Sequence, residues 1–255
     1  MNVLSLFAGV GGLELGLERA GATTVGQVEI DPYCRQVLAK HWPEVPRHDD
    51  VRTAVEWWRS ESRPRVDVVG GGFPCQPFSN AGFQLGIEDE RWMWPDMAAV
   101  VRTVGPRYVV VENVSALVRD GRAFGEVLGD LHQFGFDAEW ATVRASDFGA
   151  PHNRERVYLV AYPSCVDGLA RDRLVTGGVR GASVTVGGFP GLAAHRGRRS
   201  SREWLAREPR VARLVDGVPC QVDRLRVLGN AVVPQVAEHI GRLIVAHDAA
   251  LAAAA

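Results

Sequence analysis

Gly71 to Asn80 read GGFPCQPFSN, which sets one thiol, Cys75, between two prolines directly after the apolar run VDVVG (Val66 to Gly70). Core cysteines sit inside apolar runs; this one stands in a stiff loop at the end of a strand-like segment. In open α/β sheets, ligands bind in the crevice at the carboxyl ends of the strands. A free thiol has a pKa of about 8.5 and needs help toward the thiolate before it is a useful nucleophile. Cys75 is therefore either an inert loop residue or a nucleophile whose partners lie elsewhere in the chain. VENV supplies one candidate, Glu112, at the end of the apolar run RYVVVEN. An unpaired carboxyl at a buried strand end holds its proton to a higher pH; the alternative is a structural carboxylate bonding loop amides. NRERV supplies two more, Arg154 and Arg156, which share a face of an extended strand because they are two residues apart. Paired arginines suit phosphate or carbonyl recognition, and equally a salt-bridged edge.

A second group of residues has the character of a nucleoside site. FAGVGG (Phe7 to Gly12) follows a strand-like run and opens a helical one. Its glycines Gly9, Gly11 and Gly12 let backbone approach a ligand, and helix N-terminal amides favour anionic groups. The same turn could be purely structural. VEIDP puts Glu29 and Ile30 about one strand further on, where an acidic residue commonly bonds ribose hydroxyls. The glycine spacing is not GxGxxG, which argues against a dinucleotide. In HDDV, Asp50, followed by Val51, either accepts from an adenine amino group or caps the helix that begins near Thr53.

These residues need a scaffold that presents strand ends side by side. VLSLF (Val3 to Phe7), TTVGQVEI (Thr23 to Ile30), VDVVG and RYVVVEN read as strands, each apolar enough to be buried on both faces. Between them, Leu13 to Ala20, Pro32 to Trp42, Thr53 to Ser60 and Trp94 to Val104 carry helical spacing, with Asp31 as the N-cap of the second and Pro32 at its first position. Phe124 to Phe134 is a further helix, and Glu139 to Ala145 and Arg156 to Tyr162 are the last two strands, paired antiparallel. This alternation predicts a mostly parallel, doubly wound α/β sheet with helices on both faces. The pattern breaks after Tyr162. Pro163 to Arg202 is rich in Gly, Ser, Val and Arg, and regular structure resumes with VDRLRVLGN (Val222 to Asn230) and a last helix from Val233.

The chain has 255 residues, 46% of them hydrophobic, enough for one such domain with a small appendage. No run of about 18 apolar residues occurs, so no membrane span is expected. MNVLSLFAG has no signal-peptide character. The cysteines Cys34, Cys75, Cys165 and Cys220 are scattered without metal-ligand spacing, which fits a reduced cytoplasmic compartment and no bound metal. A net charge of −1 does not announce a nucleic-acid binder. Arg196, Arg198 and Arg199 cluster in the late segment, as a nucleic-acid contact or as a solvated surface of an arginine-rich chain in which Lys40 is the single lysine.

Taken together, FAGVGG, VEIDP, DDV, GGFPCQPFS, ENV, NRERV and LGNAVVPQV, in that order, resemble the DNA (cytosine-5)-methyltransferases of bacterial and phage type. The resemblance covers Met1 to Tyr162 and Asp223 to Ile240. PCQPFS with a downstream ENV and RxR is its specific part. It implies a Rossmann-like fold for S-adenosyl-L-methionine-dependent methyl transfer: a catalytic domain of residues 1–162 and 222–255, and a short, irregular target-recognition region of residues 163–221. It implies that Phe7 packs on the adenine, that Ala8, Gly9, Gly11 and Gly12 border the methionine moiety, and that Glu29 holds the ribose. Ile30, Asp50, Val51, Pro74, Met93, Asn230 and Val232 complete the cofactor pocket. Cys75 would attack C6 of a cytosine flipped out of double-stranded DNA, Glu112 would bind N3 and the 4-amino group, Arg156 the O2, and Arg154 would organise the pair. Phe78 to Trp94 suits a closing flap, with Ser79 and Arg91, together with Arg196, Arg198 and Arg199, on the DNA. A monomer with a possible cognate restriction endonuclease is implied as well.

The sequence departs from the family pattern in places. His152 replaces the usual glutamine before RxR, Ile30 replaces an aromatic that some members carry, and Ala231 replaces a frequent serine. The interval before LGN is short, and the expected arginine-rich motif is vestigial in REPRVARLVDG (Arg207 to Gly217). Competing readings are an RNA (tRNA) cytosine-5 methyltransferase, which the short interval favours and the PCQPFS form does not, and a non-catalytic nucleic-acid-binding relative, against which the intact Cys75, Glu112, Arg154 and Arg156 argue. An unrelated nucleotide-binding oxidoreductase has the wrong glycine spacing.

Overall fold

The computed structural model describes residues 1–74, 91–164 and 231–254. Its elements run β1 (Asn2–Leu6), α1 (Gly12–Arg19), β2 (Thr23–Val28), α2 (Pro32–His41), β3 (Arg47–His48), α3 (Ala54–Arg59), β4 (Val68–Gly71), α4 (Trp94–Val104), β5 (Tyr108–Asn113), α5 (Ser115–Arg119), α6 (Gly121–Gln133), β6 (Phe136–Arg144), β7 (Glu155–Pro163) and α7 (Pro234–Ala254). The strands form one sheet in the order β3-β2-β1-β4-β5-β7-β6. Strands β1 to β5 are mutually parallel, whereas β7 runs antiparallel to both of its neighbours, β5 and β6.

The two-residue period of the strands sorts the core into two layers. On β5, Val109 and Val111 join Trp94 and Met97 of α4 and Val127 and Leu131 of α6. Tyr108 and Val110 face the other way, onto Leu13 and Leu17 of α1 and Val236 and Ile240 of α7. Helices therefore cover both faces, as the buried character of the strands requires. Among the described residues, no helix is long and apolar enough to cross a membrane.

Helix starts follow the local chemistry. Asp31 accepts from the N–H groups of Tyr33 and Cys34 at 2.9 and 3.1 Å, and Pro32 follows it at the first position of α2. Asp120 does the same for α6, accepting from Arg122 and Ala123 at 3.1 and 3.0 Å, so that this helix begins at Gly121 and not at the expected Phe124. The short α5 was not anticipated, because its five residues span little more than one turn.

Helix α7 brings the chain back onto its own beginning. Ala237 packs on Gly16 of α1, and Val232 presents its backbone carbonyl to Gly12 so closely that no side chain would fit at that position. At the opposite end of α7, the Tyr108 hydroxyl meets His247 Nδ1 at 3.0 Å, and Arg107 pairs with Asp248.

Candidate active site

The parallel strands β1, β2, β4 and β5 all end on one side of the sheet, and a cleft of about 620 Å³ opens there. That volume lies in the range of small-molecule sites. Phe7, the first residue after β1, has a φ of 53°. A bulky residue in this left-handed region costs of order 1 kcal/mol, and such strain persists where the surroundings impose it. Glu29 holds the turn that follows. Its Oε2 accepts from the Gly9 N–H at 2.7 Å and its Oε1 from the Asp31 N–H at 2.8 Å, tying the glycine turn to the end of β2. Arg35 fixes the same corner from below, donating from Nη1 to the carbonyls of Glu29 and Ile30 at 2.9 and 2.8 Å. The Ile30 side chain is left 65% exposed on the cleft wall.

Asp50 also lines the cleft, but its carboxylate is engaged within its own loop. It accepts from the Arg52 N–H at 3.0 Å, capping a 3₁₀ turn over Val51–Thr53, and from the Arg52 guanidinium at 2.6 Å. The side-chain hydrogen bond from Arg52 holds its carboxyl below the usual range. Of the two roles the sequence offered, the structure shows the cap, and the same residue also lines the cleft.

The opposite wall is built by β4, β5 and β7. Asn113, only 1% exposed, donates from Nδ2 to the Phe73 carbonyl at 3.1 Å and accepts at Oδ1 from the Val114 N–H at 2.9 Å. It thus pins the Gly72–Pro74 loop to the end of β5. Glu112 lies beside it, with Oε1 3.3 Å from Arg156 Nε and 3.7 Å from Arg154 Nη2. Both distances are in ion-pair range, yet Oε1 makes no hydrogen bond among the described residues. Burial pushes the Glu112 carboxyl above its ordinary range, while the Arg156 and Arg154 guanidiniums pull it down. Two cations and an acceptor with spare capacity therefore face the cleft together. Glu155, between the two arginines, points to the other face and binds Ser115 Oγ at 3.0 Å and Arg144 Nε at 3.2 Å.

One cleft thus collects Phe7, Gly9, Glu29, Ile30, Asp50, Val51, Pro74, Arg91, Met93, Glu112, Arg154 and Arg156. Ala8, Gly11, Gly12 and Val232 do not line it; Ala8 is 8% exposed, and Gly12 is backed by Val232. Cys75, Ser79, Arg196, Arg198, Arg199 and Asn230 lie outside the described residues. Asn113, Arg35 and Arg52 went unassigned in the sequence. Asn113 stood in the quoted ENV. Arg35 left no signal, because its partners are main-chain carbonyls. Among the described residues, no group of three or more His, Cys, Asp or Glu could hold a metal ion.

Residues 1–166 match a family model described as C-5 cytosine-specific DNA methylase. Type II methyltransferase M.NgoBI of Neisseria gonorrhoeae is 38% identical over 164 residues, covering 63% of this chain and 50% of that one. Type II methyltransferase M2.BsuMI of Bacillus subtilis (strain 168) is 36% identical over 168 residues, covering 63% of this chain and 42% of its own. The chain spans about half the length of the curated relatives it matches. Among solved structures, a prophage-encoded E. coli protein described as a DNA modification methyltransferase superposes with a TM-score of 0.54 at 27% identity, covering 64% of this chain and 47% of that one. S. pombe Dnmt2 methyltransferase, at 23% identity and a TM-score of 0.53, shares the fold.

Proposed function

The chain belongs to the C-5 cytosine-specific DNA methylase family, and from that premise we propose that it transfers a methyl group from S-adenosyl-L-methionine to C5 of cytosine in double-stranded DNA. One observation carries this reading: the Glu29 corner and the Glu112–Arg154–Arg156 cluster share a single cleft, and Pro74, one residue before Cys75, stands on its wall.

The cleft fits the cofactor chemically. Each Glu29 oxygen spends one acceptor site on a backbone N–H and keeps another for a ribose hydroxyl. Exposed Ile30 and the ring of Phe7 offer apolar surface to an adenine. Asp50 reaches the adenine amino group only by sharing its carboxylate with Arg52. When bound, the cofactor supplies an electrophilic methyl on a sulfonium.

The remaining steps belong to the chain and the base. The Cys75 thiolate bonds to C6 of a flipped-out cytosine, which makes C5 an enamine carbon able to take the methyl. Glu112, whose carboxyl burial pushes above its ordinary range against the pull of Arg156 and Arg154, binds N3 and the 4-amino group, stabilising charge that develops on the ring. Arg156 bonds the O2, and Arg154 keeps Glu112 in place. Loss of the C5 proton to a base then returns the electron pair to the ring and expels the thiolate.

Residues 163–221 serve as a short target-recognition region, with Arg196, Arg198 and Arg199 on phosphates and Ser79 and Arg91 on the DNA near the site. The type II names of the relatives fit an enzyme paired with a restriction endonuclease, and the reading takes it as a cytoplasmic monomer. The test is transfer of labelled methyl to duplex DNA by the full chain, with bisulfite sequencing to locate the product. Cys75→Ala should abolish transfer. Transfer to tRNA with none to DNA would move the reading to the RNA-modifying branch, and undiminished transfer by the alanine variant would sink the mechanism.

A further inference from the structure

Glu14 is fully buried in the first turn of α1, the helix that carries the glycine turn of the cofactor corner. A carboxyl is rare in such a place unless it is paired. Ser5 of β1 and Gln27 of β2 are register neighbours on the sheet, and both are 0% exposed. Both Glu14 oxygens, Ser5 Oγ and Gln27 Nε2 are buried without a well-formed hydrogen bond, although Ser5 and Gln27 are the two side-chain donors that act on the carboxyl. Gln27 has its Oε1 committed to Arg47 Nη1 at 3.1 Å, which leaves its amide N–H to act on the carboxyl.

We propose that Glu14 is a positioning residue for the cofactor corner: as the neutral acid it accepts from Gln27, donates to Ser5, and so seats the first turn of α1 on the sheet. The inference rests on reading the cleft as an S-adenosylmethionine site. Two donors would serve a carboxylate as well as an acid, so it is full burial, and not the hydrogen bonds, that favours the neutral form. The carboxylate has no compensating cation among the described residues. Glu18, one turn on, repels it and is itself engaged by Trp42 Nε1 at 2.9 Å and the Thr24 N–H at 3.3 Å. Arg47 is held by Gln27 and by the Trp42 carbonyl at 2.6 Å. β4, read VVGG, carries no titratable or charged side chain. From α7, Glu238 pairs with Arg242 at 2.6 Å. Burial accordingly pushes the Glu14 carboxyl up to about 7.

Losing this proton places a charge under the helix. The chain relieves it by lifting the first turn or admitting water, and either response moves the Gly9–Gly12 turn. Cofactor affinity should therefore weaken as pH rises through neutrality.

The experiment is calorimetric titration of S-adenosylhomocysteine into the full chain at about pH 6 and about pH 8, for the native protein, Glu14→Gln and Glu14→Leu. The native protein should bind roughly fivefold or more weakly at the higher pH, and Glu14→Gln should hold the low-pH affinity throughout. Glu14→Leu, which leaves Ser5 and Gln27 unpaired, should bind roughly tenfold more weakly at both. Equal pH slopes for native and Glu14→Gln, or native affinity in Glu14→Leu, would overturn the proposal. Contributions from Glu112 and from Asp96 of α4, whose carboxyl burial also pushes up, appear in every variant and cancel. If no variant binds at either pH, the cofactor reading fails. Thermal melts then decide on Glu14: a gain for Glu14→Gln over native confined to the higher pH supports the neutral-acid seat, and equal shifts at both overturn it.

Discussion

Gly72 lies against Glu112 so closely that a methyl group on Gly72 would stand 2.8 Å from Glu112 Oε2 and 3.3 Å from the Glu112 carbonyl. The glycine ahead of the Cys75 loop thus leaves room for the carboxyl that faces the cleft.

Gly72→Ala should displace Glu112 from Arg156 while the sheet stays intact. We expect kcat for methyl transfer to fall about a hundredfold, as for a displaced electrostatic stabiliser. Circular dichroism should be unchanged. Retained kcat would show that Glu112 can move without loss.

Glu112→Gln keeps shape and hydrogen-bonding groups but loses the ionisable carboxyl that faces two guanidiniums. We expect kcat to drop by roughly two to three orders of magnitude with the affinity for S-adenosylhomocysteine held within about twofold. Steady-state kinetics and calorimetry together separate the two effects.

Arg35→Ala frees the carbonyls of Glu29 and Ile30. Cofactor KM should rise roughly tenfold with kcat little changed, since the lost hydrogen bonds orient the binding corner and not the reacting base. Arg35→Lys should recover part of the loss, which a general loss of stability would not reproduce.

Stability should depend on pH through Glu14. Its folded carboxyl, at about 7, lies above the ordinary 4.5. The stability tied to this proton is fully present below about pH 4.5 and is lost progressively as pH rises to about 7, where the loss levels off at about 3 kcal/mol. Glu14→Gln should lack that fall, so urea denaturation at about pH 5 and pH 8 should give a native-minus-variant difference that shifts toward the variant at the higher pH.

If Arg196, Arg198 and Arg199 contact phosphates, replacing all three by alanine should reduce the slope of log K against log salt by roughly 2 to 3. A filter-binding titration over a salt series measures it, and an unchanged slope removes them from the interface.

Much of this was legible in the chain itself. Continuous apolar strands such as VVVEN and their alternation with helical spacing specify a sheet covered on both faces, because both sides of every such strand must be buried. α4 runs over Trp94–Val104, and Asp31 caps α2, as local chemistry alone requires. Motif order named the family, and the two-residue spacing in NRERV put Arg154 and Arg156 on one face while turning Glu155 to the other.

Only the tertiary structure decided what those faces meet. The antiparallel pairing of β6 with β7 was expected, but β7 also inserts beside β5, and that insertion carries the arginines onto Glu112. Nothing local specifies it, since strand pairing is a contest among all available edges. The return of α7 onto Gly12 and Gly16 is equally non-local. Glu14 is the clearest case. LELGLERA reads as a helix whose acidic residue suits a first turn, yet the fold sets that residue over Ser5 and Gln27, out of water and without a cation among the described residues. Residue types and spacings determine which chemistry is available; burial, which arises only when distant elements close over one another, determines which protons and charges that chemistry keeps.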